Sequence, residues 1–302
     1  MSTFQEQLLS MQPGPQREEF IKTALYNEGP PKQFAPVEVR VSDTDKLIFY
    51  ATLDYLMVDG MRVPLSGIGS QEVANHFGLM LPTKKMAEQI YKSASLKTNI
   101  NPMSAGGEIG GKHYSSKEVI KSKMQDSDTY IAFNNRINQQ TKKRGGLIAG
   151  HMKDNVAPEF GSNLNLHGLY DSNGKPIQSE TATPHPQSYS DYSSGTRLVK
   201  RTFKIITKDS TSDVDIDELL SNPKYSKFAE AIMSKKMTSY PQYNQKEAAK
   251  PLQEAPQAKT PVQKIKKAPS KNIEAPKESH INDESFISFI EQIRKELEDI
   301  KF

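Results

Sequence analysis

Two dipeptides limit what this chain can fold into more than anything else in it: Asp59-Gly60 and Asn173-Gly174, each between short apolar runs. A two-residue hairpin of type I′ needs positive φ at both central positions, and Asp-Gly and Asn-Gly tolerate that conformation best. Both sites therefore commit their flanking runs to antiparallel pairing. Val37–Val41, Lys46–Leu53, Tyr55–Val58 and Met61–Leu65 read as a small meander around the first. Leu147–Ala149, Leu164–Tyr170, Pro176–Gln178 and Thr196–Ile206 form a second set around the other.

Helical patterns separate the strands. Arg17–Asn27 places Phe20, Ile21, Ala24 and Leu25 on one face before Gly29-Pro30-Pro31 stops it. Ser70 is placed to cap Gln71–Phe77, Thr83 to cap Lys84–Ser95, and Asp128–Lys143 has helical composition. Asp213–Leu220 and a helix entered through Asn222-Pro223, running to Met237, follow the last strand. The expected class is α+β: small antiparallel sheets with a few packed helices over residues 17–206, and a helical appendage over 207–240. Residues 1–16, ending in Met-Gln-Pro-Gly-Pro-Gln, read as a flexible arm, and 96–128 as a long loop.

Beyond residue 240 the composition changes. The stretch 241–281 is rich in Pro, Lys, Ala and Gln and reads as a disordered linker. Its portion up to His280 holds eight lysines, four glutamates and no aspartate, an excess of +4 that equals the net charge of the whole chain. The folded part thus balances near neutrality, and no basic face with interleaved aromatics marks a nucleic-acid groove. In 282–302, Phe286, Ile290, Ile293, Leu297 and Ile300 follow a heptad seam, so a tethered amphipathic helix that binds a protein partner or a second copy is expected. No apolar run reaches the roughly 18 residues of a membrane span. The start lacks a cationic and apolar leader, which predicts a soluble protein, cytoplasmic at synthesis and virion-associated if phage-encoded. The chain has no cysteine, so disulfides, thiolate metal sites and a cysteine nucleophile are excluded.

Chemistry concentrates between Gly145 and Arg201, where three of the six histidines fall in turn-rich sequence between strand-like runs. His151 and Asp154, after the run Leu147-Ile-Ala-Gly, are candidates for a general base with its orienter, or for two metal ligands. His185, stiffened between two prolines, is a second acid/base candidate. Ser194 beside Gly195 is a candidate nucleophile, and Lys153, Asp191, Tyr192 and Arg197 are candidate substrate contacts, Arg197 as a bidentate anion clamp. No HExxH or GxSxG spacing fixes a reaction, and the glycine run 105–111 lacks the GK[ST] of a phosphate loop. Metal and cofactor stay unassigned. Satisfied loop histidines and ordinary turn composition explain the same residues without chemistry.

REEFIKTALYNEGPPKQFAPVEV, DYLMVDG, LPTKKMAEQIY, GHMKD, the hairpin carrying Gly174-Lys-Pro-Ile-Gln and YSDYSSGTRLV, in this order over about Arg17 to Lys204, resemble a family of uncharacterised, often exported bacterial proteins with GHxKD and DYSxGxRLV motifs. The resemblance implies a shared fold and a pocket at His151, Lys153, Asp154, His185, Asp191, Tyr192, Gly195 and Arg197. Ser194 stands where the family's motif carries a histidine, and the export signal is missing. Two functions follow as expectations. One is a hydrolase of peptide or glycan bonds in a cell-wall-like polymer, in an active or a degenerate form. The other is a non-catalytic binding or assembly protein, a bacterial scaffold or virion-associated accessory, working through 282–302.

Overall fold

The central strand of the larger sheet, β2, runs Lys46–Thr52 and turns Leu47, Phe49 and Ala51 inward at period two. In the computed structural model, which describes residues 3–100, 102–103, 107–109, 112–114, 123–141 and 145–243, this strand organises a six-stranded sheet. On one side it pairs along its whole length with β1 (Phe34–Arg40), an edge strand that carries Pro36. On the other side its two halves meet different partners. Its first half pairs with Thr202–Ile206, and Ala51 pairs with Val199 of the Val199–Lys200 strand. The single strand expected over Thr196–Ile206 is therefore broken at Arg201. Thr211–Asp215 closes the far edge, with ion pairs Lys204–Asp213 and Arg201–Asp215 across the outermost pair of strands. Charges on an edge discourage pairing with another chain.

One face of this sheet is covered by the helices Lys84–Ser93, Ile216–Ser221 and Ser226–Ile232. Met86, Ile90, Leu219, Phe228 and Ile232 share a core with Val37, Leu47, Phe49 and Phe203. Residues 207–240 are thus no appendage: they supply an edge strand and two helices to the main core. The ordered body also runs past 240, because Tyr240 and Tyr243 are buried and the Tyr243 hydroxyl donates to the Val156 carbonyl at 2.8 Å.

A second core lies under α1 (Phe4–Leu9), α2 (Pro15–Glu28) and α3 (Gly67–His76), and includes Phe4, Leu8, Ile21, Leu25, Met61, Leu65 and Val73. The expected flexible arm is a helix. Thr3 and Glu6 form a reciprocal capping box, Leu8 is fully buried, and the Phe4 ring stacks on Phe20 at 5.2 Å. Its Pro and Gly mark the sharp turn into α2, not an absence of structure. Within 96–128 the described parts hold short strands at Leu96–Lys97, Gly107–Ile109 and Lys112–Tyr114, so that stretch is more than a loop.

The two hairpin signals resolve differently. Asp59 and Gly60 both take positive φ, 50° and 73°, as a type I′ turn between Met57–Val58 and Met61–Arg62 requires. At the other site only Gly174 is left-handed. Asp171 N–H donates to Lys175 O at 2.9 Å, which gives a longer turn between Leu166–Tyr170 and Pro176–Gln178. The rest of the expected linker and the expected terminal helix (282–302) lie outside the described residues. Among the described residues no helix is long and apolar enough to cross a membrane.

Candidate functional site

A four-stranded sheet brings the two motif stretches together. Its order is Pro176–Gln178, Leu166–Tyr170, Lys153–Asn155, Ser194–Gly195, the last pair parallel with Lys153 opposite Ser194 and Asp154 opposite Gly195. Successive residues of a strand point to opposite faces. Lys153 and Asp154 therefore serve two separate groups of side chains, where the sequence alone presents one cluster.

The inner group is built on Asp154, His151 and Arg197 and is sealed. Their exposures are 6 %, 0 % and 0 %. Arg197 donates from Nη1 to Thr52 O and from Nη2 to Ile148 O, each at 2.6 Å, and its guanidinium lies 4.4 Å over the Tyr55 ring. Its Nε faces Asp154 Oδ1 at 3.5 Å, and Tyr55 donates its hydroxyl proton to Asp154 Oδ2 at 3.2 Å. Gly195 makes this approach feasible, since a Cβ there would stand 2.6 Å from Tyr55 Cδ1. Burial raises the Asp154 carboxyl to about 6, against the opposing pull of Arg197 and Tyr55.

His151 is oriented by Asp54, not by Asp154. Its Nε2 lies 2.9 Å from Asp54 Oδ1 and its Nδ1 3.2 Å from Thr98 Oγ1. Arg62 holds the same carboxylate through Nε at 3.1 Å and Nη2 at 2.5 Å, and reaches Asn138 through Nη1 at 3.0 Å. Burial lowers His151 to about 4, with Arg62 and Arg197 repelling a second proton and Asp54 only partly offsetting them. The ring is therefore neutral near pH 7. Asp54 Oδ1 and the Arg62 Nε, at 3.1 Å, both face Nε2, and the Thr98 hydroxyl beside Nδ1 donates to Ala149 O at 3.0 Å, so the ring is held on both edges. For Asp54, burial acts upward but the His151 hydrogen bond and the Arg62 charge prevail, holding it well below the usual carboxylate range.

The outer group is buried as well, apart from the partly exposed Lys153. Lys153 Nζ donates to Asp191 Oδ2 at 2.9 Å, while Asp191 Oδ1 accepts from the N–H and hydroxyl of Ser193 at 2.8 and 2.7 Å. These contacts overcome the desolvation of Asp191 and lower its pKa. Ser194 is fully buried; its Oγ accepts from Asp191 N–H at 3.1 Å, and no general base stands on it. Tyr192 is a core residue: its hydroxyl accepts from Met103 N–H at 3.0 Å and its ring packs edge-on against Phe133. His185 stacks face to face on Tyr189 at 3.9 Å, half-buried, and has no contact with His151 or Asp154. Burial lowers its pKa, with Asp191 and Lys153 acting in opposite senses.

The structure thus brings His151, Asp154 and Arg197 together, sets Lys153 and Asp191 behind them, and leaves His185 within electrostatic reach of that outer pair but away from the inner group. Asp54, Tyr55, Arg62 and Thr98 complete the inner group. Sequence reasoning passes over Asp54, Tyr55 and Arg62 because DYLMVDGMR reads as hairpin strands, and over Thr98 because 96–128 reads as a loop; an Asp and an Arg flanking a tight turn, in otherwise apolar strands, is the signal that was present. Among the described residues no group of three or more His, Asp or Glu side chains could hold a metal ion.

A cleft of about 740 Å³, lined in part by Phe34, Leu53, Asp54, Gly146 and Ile148, opens against the far side of the inner group. A second, of about 460 Å³, adjoins it along Leu53, Asp54 and Met57. Comparison with protein-family models, with curated proteins and with solved structures gives no match to this chain.

Proposed function

We propose that this chain is a non-catalytic binding or assembly protein in which the hydrolase-like constellation serves as an internal brace. The observation that carries this reading is the engagement of the candidate groups. His151, Asp154, Ser194 and Arg197 are each at most 6 % exposed, and Arg197 spends both terminal nitrogens on the backbone carbonyls of Thr52 and Ile148. A base or an anion clamp needs free valences facing a substrate, and the atoms of Asp154 and Arg197 without a hydrogen bond, Oδ1 and Nε, face each other in the interior. The resemblance to the GHxKD and DYSxGxRLV proteins fits a degenerate pocket, given Ser194 in place of the motif's histidine. Among the described residues only Leu9 and Ile177 are large exposed hydrophobics, which disfavours association through the body and favours the heptad positions of 282–302. A scaffold or virion-associated accessory is the role of this kind.

Two measurements test it on the full chain. Incubated with peptidoglycan, with and without added divalent metal, the protein releases no soluble fragments. In sedimentation velocity, Ile293→Asp with Leu297→Asp abolishes the self-association or partner binding of the parent chain. Fragment release that disappears in His151→Asn would establish the second reading, a hydrolase. One observation favours that second reading: Asp54 lines the larger cleft while its Oδ1 holds His151.

A further inference from the structure

The helices Ile216–Ser221 and Ser226–Ile232 and the chain that follows them enclose a small cleft of about 170 Å³, remote in sequence from the motif stretches. Its apolar lining comes from Leu220, Ala229, Met233 and Met237. The unbranched methionines adapt to the shape of what they touch. An engineered cavity of about 150 Å³ takes up benzene, so this space matches an apolar group of about six carbons.

The lining also contains two adjacent ammonium groups, Lys235 and Lys236. Lys235 lies 4.9 Å over the Phe160 ring, and neither lysine has an ion-pair partner among the described residues. One acid, Glu230, shares the lining, which leaves one positive charge in excess. Asn222 and Ser226 already serve the backbone there: Asn222 Oδ1 accepts from Lys224 N–H at 3.1 Å and Ser226 N–H closes the turn onto Pro223 O. Ser221 Oγ donates to Asp217 O, so beside the Ser226 and Thr238 hydroxyls the two cations are the charged donors that face a ligand's polar end.

We propose that this cleft binds a small amphiphilic anion, a carboxylate carried on an apolar group about the size of a benzene ring. The apolar part displaces water from the methionine-lined space, and the carboxylate meets Lys235 and Lys236 at the rim. The site is independent of the sealed inner group and of the role proposed for 282–302.

The test is a titration of the full chain, labelled with ¹³C at the methionine methyls, with hexanoate and with hexanol as the uncharged control. Hexanoate shifts the Met233 and Met237 methyls saturably. Hexanol binds roughly tenfold more weakly, the size of one charge-assisted hydrogen bond. Lys235→Gln with Lys236→Gln brings hexanoate down to the level of hexanol, and Ala229→Leu, which fills the space, removes both. Unmoved methionine methyls, equal affinity for acid and alcohol in the parent chain, or an unchanged hexanoate titration in the double glutamine variant would each overturn the proposal.

Discussion

Arg197 Nε and Asp154 Oδ1 face each other at 3.5 Å in the interior, and neither atom has a hydrogen-bond partner. They interact as charges without the directed bond that normally accompanies a buried pair. The other two arms of Arg197 are fully committed to carbonyls on the two segments that the pair holds together. The relationship is therefore mechanical first, a clamp between the end of β2 and Ile148, with Asp154 as its counter-charge.

That division of labour predicts unequal mutational costs. Arg197→Met strips two buried carbonyls of their donors and leaves Asp154 unpaired, and costs about 3–5 kcal/mol. Asp154→Asn keeps the shape and costs about 1–3 kcal/mol. Urea unfolding of the two variants checks the order; an equal or larger loss in Asp154→Asn would place the charge pair above the clamp.

The pH dependence separates His151 from Asp154, because their shifts have opposite signs. His151 titrates near 4 when folded and near 6.5 when unfolded, so its contribution is whole above 6.5 and declines as the pH falls toward 4. Asp154 titrates near 6 when folded and 3.8 when unfolded, so the folded state takes up its proton first and gains stability over that fall. Relative to His151→Asn, the parent chain loses stability on acidification from pH 6.5 to 4. Relative to Asp154→Asn it gains, each with a slope of up to about 1.4 kcal/mol per pH unit. Stability curves of parent and variants at half-unit pH steps read both slopes, and parallel curves would remove the assigned shifts.

Gly195 is held by contact, not by backbone conformation. A methyl there would stand 2.6 Å from Tyr55 Cδ1 and 3.0 Å from Met152 Cβ, in a site with no room to yield. Gly195→Ala is expected to cost about 1–3 kcal/mol, read as a lowered midpoint in thermal unfolding. A neutral result would mean that Tyr55 moves freely.

The first helix is part of the fold, and truncating its buried side chain tests this directly. Leu8→Ala removes a fully buried leucine and should cost about 2–5 kcal/mol. Leu9→Ala, one position on and half exposed, is the control and should change little. Equal, negligible effects in denaturant unfolding would return residues 3–9 to the status of a loose arm.

The α+β class, the Asp59-Gly60 turn, the Thr83-capped helix and the neighbourhood of His151, Asp154 and Arg197 are legible from the order of residues alone. Each of these is written in local signals: a dipeptide that accepts positive φ, a cap, an apolar period, a strand that ends in charges. Long-range packing set Asp54, nearly a hundred positions away in the chain, to orient His151. It also decided that Lys153 and Asp154 serve opposite faces, that His185 stands apart from the inner group, and that Arg197 is consumed by carbonyls. Residues 4–9 and 211–240 likewise gained their place in the cores from distant partners. Local propensity carries no information about which buried charge will meet which, because that pairing is set by the packing of segments brought together from across the chain.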